Sequence, residues 1–158
     1  MISNELNWRF RPSPAEIFSL VIGNLLIIWY AWILDDAYVY FRYVDNFVIH
    51  GFGLVWNPNE FVEGFSSPAW VLLLSLLRYA RLDFWVIIRL VGIISFFGFW
   101  WLACLINRGL MPSGTRTTSL NIPLLYISHT YAVSCYFTSG TESPLIILMA
   151  AVYAAAIL

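Results

Sequence analysis

The chain has 158 residues, of which 61% are hydrophobic and 11% charged, and its mean hydropathy is +0.77. Soluble domains run near 45–50% apolar and about 25% charged, so a water-soluble globular domain is excluded, and so is intrinsic disorder. Eight arginines, no lysine and nine acids give a formal net charge of -1, with no basic run to follow a phosphate backbone, which leaves nucleic-acid binding without support.

Cys104 and Cys135 both lie in apolar runs, as small buried hydrophobes rather than a disulfide framework or metal site. A helical span needs about 20 residues, so the length suits four or five crossings. Residues 1–16 are polar and carry Arg9 and Arg11; they read as a cytoplasmic segment before a signal-anchor helix over 17–34. Trp29, Tyr30 and Trp32 near its far end suit an interfacial aromatic belt.

Residues 35–68 carry five acids (Asp35, Asp36, Asp45, Glu60, Glu63) and one arginine, Arg42. Asp35-Asp36 reads as an N-cap for a helix from Ala37. Arg42, Asp45 and Asn46 then share one face, and Tyr38, Phe41, Tyr43, Val44, Phe47 and Val48 supply the others, the pattern of an amphipathic helix on a membrane surface. Gly51 closes it, and Asn57-Pro58-Asn59 reads as a turn.

Residues 68–82 are helical in pattern, but the uninterrupted apolar core Ala69–Leu77 is too short to span, so the helix is expected in the interface. Residues 84–106 suit a crossing, and a polar link over 107–121 leads to a further span over 122–137. A polar break over 138–143 precedes a last helix with Pro144 at its start. The fold class expected is all-α, a polytopic membrane bundle with spans over 17–34, 84–106, 122–137 and 145–158 and an outer loop over 35–83. Parity puts the acidic loop and the 138–143 break on one, outer side. The arginines tie at four inside and four outside, so the positive-inside bias is neutral. The chain stops within an apolar run, the expectation being the front part of a longer protein or a chain cut short.

The residues able to carry chemistry sit at the ends of these spans. Asp35 and Asp36 suit a pair in which one carboxylate takes a proton and the other orients it or holds a cation; a helix cap is the plainer reading. Glu142, the only acid after Asp83, suits a ligand for a hydroxyl-rich molecule or, again, a cap. Arg78, Arg81 and Arg89 suit phosphate recognition or snorkelling to lipid headgroups. His50 and His129 have no second ligand at metal spacing. No P-loop, G-x-G-x-x-G, G-x-S-x-G or H-E-x-x-H is present.

The run Asp35-Asp36-Ala37-Tyr38, Arg42-Tyr43, Asn46, Gly51-Phe52-Gly53-Leu54-Val55-Trp56-Asn57-Pro58, Glu60, Val62-Glu63-Gly64, Ser67-Pro68 and Trp70 resembles the first outer loop of multi-spanning GT-C glycosyltransferases. The nearest branch is the bacterial group similar to mycobacterial terminal arabinofuranosyltransferases. Arg89 resembles that group's arginine at the start of the second span, and Gly140-Thr141-Glu142 its Gly-Leu-Glu after the third. The likeness covers residues 17–158, about the front of a family member.

The resemblance implies transfer of a sugar from a polyprenyl-phosphate donor to a cell-envelope acceptor on the outer face of the cytoplasmic membrane. It implies Asp35 as base with Asp36 as helper, and Glu142 in the same pocket. Glu63, Arg42, Arg78, Arg81 and Arg89 complete the expected substrate-binding set, with Arg78, Arg81 or Arg89 facing the donor phosphate and Arg89 alone having a counterpart in the family. No cofactor is required; a divalent cation near Asp35 would assist. The family's donor groove needs later helices, which makes a C-terminal continuation or a partner subunit an expected partner besides the bilayer. The competing reading is a non-catalytic membrane scaffold or assembly subunit; a transporter piece is weaker, for want of paired broken helices.

Overall fold

The structure, a computed structural model, describes residues 12–110 and 129–157. Within them the chain is all-helical: α1 (Pro14–Trp29), α2 (Asp35–Val48), α3 (Pro68–Tyr79), α4 (Phe84–Leu110), α5 (Tyr131–Phe137) and α6 (Ser143–Ile157). Among the described residues one helix, over Phe84–Arg108, is long and apolar enough to cross a membrane, with 25 residues at mean hydropathy 2.0.

Helix α1 starts three residues before the expected Ile17. Ser13 and Glu16 form a capping box: the Ser13 N–H donates to Glu16 Oε2 at 2.7 Å and the Glu16 N–H to Ser13 Oγ at 3.3 Å. Pro14 takes the first position, where a missing N–H costs nothing. The helix ends at Trp29 rather than running to Leu34. It packs antiparallel on α4. Glu16 pairs with Arg108 at 2.7 Å, Trp100 Nε1 donates to the Glu16 carbonyl and Ser19 Oγ at 2.9 and 3.2 Å, and Phe96 fills the space beside Gly23. Ile27, Phe96 and Phe137 form the core of this half. Helix α6 follows α4 in the same direction, with Leu145 against the cluster formed by α2, α3 and the start of α4 and Leu148 against Gly98. The expected span over 122–137 lies partly outside the described residues; its described part is the seven-residue α5.

The second core lies at the other end of α4. Ala37, Tyr40, Phe41 and Val44 of α2 meet Trp70, Val71 and Leu74 of α3 and Ile87, Ile88 and Val91 of α4. The apolar side of α2 is therefore buried largely against protein, a correction to a helix laid against lipid; Tyr38 and Phe47 stay exposed. Helix α3 is about 18 Å long at 1.5 Å per residue, short of the roughly 30 Å of hydrocarbon. It buries Trp70, Val71, Leu74 and Ser75 and exposes Leu72, Leu76 and Tyr79.

Helix α2 differs from expectation at its start. It takes in both aspartates as its first turn, with Leu34 as a cap that makes no side-chain bond. The reason lies in the backbone: the Leu34 N–H is drawn to the Ser139 carbonyl at 2.9 Å, and the Leu34 carbonyl accepts from the Ala37 N–H at 3.0 Å. Charge at this helix start is still favoured by the macrodipole.

Candidate functional site

Residues 138–143 decide the site. Thr138 and Ser139 are buried. Gly140 sits at φ +81, and a Cβ there would lie 2.6 Å from Ala37 Cβ and 3.2 Å from Phe41 Cζ. Only glycine allows both that dihedral and that approach. Its carbonyl accepts from Trp70 Nε1 at 2.9 Å. The break is thus clasped by α2 on one side and α3 on the other. Two residues on, Glu142 faces back over α2, where the Tyr40 hydroxyl donates to its Oε2 at 3.1 Å. The same hydroxyl lies 2.9 Å from Ser66 Oγ.

An open cavity of about 520 Å³ results. Asp36, Val39 and Tyr40 line it from α2, residues 63–66 from the loop between α2 and α3, and Thr141 and Glu142 from the break. A second cavity, of about 270 Å³, is lined by Trp32, Leu34, Asp35 and Asp36. Asp36 lines both. Asp35, Asp36 and Glu63 are exposed. Tyr40 is 5% exposed. Burial holds its phenol above the ordinary value of 10.0, the nearby Glu142 carboxylate adds to this, and the Ser66 hydroxyl opposes it.

The structure therefore brings Asp36, Glu63 and Glu142 together, with Asp35 next door. It does not bring the arginines in. Arg42 Nε donates to the Trp56 carbonyl at 2.8 Å and its Nη2 to Asn57 Oδ1 at 2.5 Å, with the guanidinium 4.6 Å above the Trp56 ring. Asn46 grips the same loop through the Val55 and Trp56 carbonyls. Arg78 pairs with Asp45 at 2.8 Å, donates to the Leu82 carbonyl at 2.6 Å and overlies Phe84 at 4.7 Å. Both serve as braces, each guanidinium donating to a loop carbonyl. Arg81 is exposed in a left-handed turn at φ 59. Arg89 is half-buried, 5.2 Å over Trp85, and its Nε has no hydrogen-bond partner. Among the described residues no arginine lines either cavity.

Tyr40, Ser66 and Thr141 are site residues that sequence reasoning missed. Tyr40 falls on the apolar side of α2, and its polar partner Glu142 is 102 positions away. Among the described residues no group of three His, Cys, Asp or Glu side chains is arranged to hold a metal ion. His50 stacks on Phe52 and His129 on Phe18.

No family model, curated protein or solved structure matches the chain.

Proposed function

We propose that the protein is a membrane-embedded glycosyltransferase, or the front part of one. In this reading α1 and α6 cross the membrane with α4, and the acidic end faces outward. It moves a sugar from a polyprenyl-phosphate donor to an acceptor hydroxyl. The observation that carries the reading is the cavity lined by Asp36, Glu63 and Glu142 with the Tyr40, Ser66 and Thr141 hydroxyls. Carboxylates and hydroxyls at close quarters suit a polyhydroxy ligand. The apolar exposed residues of α1 (Ile17, Val21, Leu25, Ile28) and α6 (Ile146, Met149, Val152) support lipid around the bundle. Carboxylates deep in hydrocarbon are costly, and these stand at a helix end.

The roles expected of the pair are exchanged in this reading: Asp36, shared by both cavities, takes the base's place and Asp35, which lines only the smaller, the helper's. The base accepts the hydroxyl proton as the acceptor oxygen bonds to the anomeric carbon, and the anomeric carbon–phosphate oxygen bond breaks to release polyprenyl phosphate. Arg89, with its unpartnered Nε, is the arginine best suited to the donor phosphate. The test is transfer of labelled sugar from polyprenyl-phosphate donors in membranes bearing the protein. Asp36→Asn is expected to lose about 10²-fold or more in rate, the scale of general base catalysis, at unchanged expression. Undiminished transfer by Asp36→Asn refutes the assignment. The scaffold reading keeps one observation, the outer-loop residue Phe61, which is 88% exposed.

A further inference from the structure

The two cavities adjoin through one residue, and they differ in kind. The larger is walled by hydroxyls and the carboxylates of Glu63 and Glu142. The smaller has an aromatic wall, Trp32, with Asp35 and Asp36 beside it. Trp32 is 47% exposed, so its indole is open to a ligand. At about 270 Å³ the space falls just under the 300–1,000 Å³ of pockets for drug-sized ligands, a size for one sugar ring. An indole face carries partial negative charge and attracts the C–H bonds that the flat side of a sugar ring presents. Ionised carboxylates accept from neighbouring hydroxyls in bidentate fashion. Two carboxylates with no cation among the lining residues repel an anion.

We infer that the Trp32–Asp35–Asp36 cavity is a subsite for a neutral sugar ring, stacked on Trp32 and held through its hydroxyls by Asp35. On the transferase reading this ring belongs to the acceptor. Asp36, which lines both cavities, then meets the hydroxyl that enters the larger one. The subsite selects neutral glycans over uronic acids and phosphorylated sugars.

The test is saturation-transfer NMR on the full chain in lipid nanodiscs, without donor. The neutral probes are methyl α-D-mannopyranoside, methyl β-D-galactopyranoside and methyl β-D-glucopyranoside; methyl β-D-glucuronide is the anionic one. At least one neutral glycoside is expected to bind, and the glucuronide about tenfold more weakly or worse. Trp32→Ala weakens neutral binding about tenfold, and Trp32→Phe retains part of it. Trp29→Ala, at a residue 81% exposed and outside both cavities, leaves it unchanged. The inference is overturned if no neutral glycoside binds, if the glucuronide binds equally well, or if Trp32→Ala binds like the wild type. It is also overturned if Trp29→Ala weakens binding as much, since both tryptophans then act as membrane anchors. Because binding is read without transfer, the two proposals fail separately. Trp32-dependent binding without turnover keeps the subsite and removes the transferase. Turnover in which Trp32→Ala leaves binding and the acceptor KM unchanged removes only the subsite.

Discussion

Gly140→Ala tests the architecture of the site most directly. At φ +81 an L-residue costs about 1–2 kcal/mol. The added methyl meets Ala37 Cβ at 2.6 Å, and neither atom can rotate away because both are fixed to backbone. The break must move, which strains the Leu34 N–H to Ser139 carbonyl bond and the Trp70 Nε1 to Gly140 carbonyl bond, both 2.9 Å. Each is worth about 1 kcal/mol. The total loss is about 2–4 kcal/mol, which lowers the unfolding midpoint by about 5–15 °C for a chain of this length. Gly51→Ala is the matched control. Gly51 is also at positive φ, +70, but nothing lies within 4 Å of an added Cβ, so only the same conformational cost of about 1–2 kcal/mol remains. Thermal unfolding in detergent gives both midpoints, and the Trp70 indole resonance, assigned through Trp70→Phe, reports the clasp. If Gly140→Ala falls no further than Gly51→Ala and the indole resonance does not shift, the clasp does not hold the break, and the placement of Glu142 has no cause.

Two further outcomes follow from the braces and the phenol. Tyr40→Phe removes the bond to Glu142 and is expected to cost about 1.5 kcal/mol, the low end for a bond to a charged acceptor. Because the folded phenol titrates above 10.0, its contribution is whole below pH 10 and fades as pH rises through the higher folded value. Wild-type stability should therefore fall more steeply than that of Tyr40→Phe between pH 9 and about 12 in thermal scans, and equal slopes refute the coupling. Asp45→Asn breaks a partly exposed ion pair and should cost under about 1 kcal/mol. Arg78→Ala also loses the Leu82 carbonyl and Phe84 contacts and should cost about 2 kcal/mol. Sugar binding should be unchanged in both; an effect on binding in a normally stable Arg78→Ala returns Arg78 to the site.

The helical class and the breaks at 138–143 and before Pro68 were legible because hydropathy and proline act locally. The Ser13-x-x-Glu16 cap was also legible in the sequence, and reading it moves the start of α1 back to Pro14. What pattern cannot supply is partnership across distance. Arg42 and Arg78 present the same charge to a reader whether they await a phosphate or brace a loop. Their partners lie 14, 15 and 33 positions away and are known only once the chain folds. Gly140 looks flexible beside Thr141 for the same reason: the Ala37 methyl that forbids a side chain comes from another helix. The Asp35-Asp36 pair illustrates competition. Aspartate before a helix favours capping, but the Ser139 carbonyl holds Leu34 and starts the helix two residues earlier than the cap requires.

How the carboxylates are held decides what a substitution at each can reveal. Asp35, Asp36 and Glu63 make no side-chain hydrogen bond to the described residues; their positions come from backbone alone, from α2's first turn and the loop between α2 and α3. Glu142 is different, because the Tyr40 hydroxyl is tied to it and Tyr40 belongs to the α2–α3–α4 core. Removing the Glu142 charge loosens the packing partner as well as the site, so lost activity in Glu142→Gln mixes two causes. Asp36→Asn keeps the shape and removes the charge, at a cost of about 0.3–1 kcal/mol for the lost helix-dipole interaction in the first turn of α2. Stability lowered by under about 1 kcal/mol in Asp36→Asn and by clearly more in Glu142→Gln is the pattern this architecture requires. Equal destabilisation by both means that Asp36 is bonded within the fold, and a carboxylate so engaged is not free to serve a ligand.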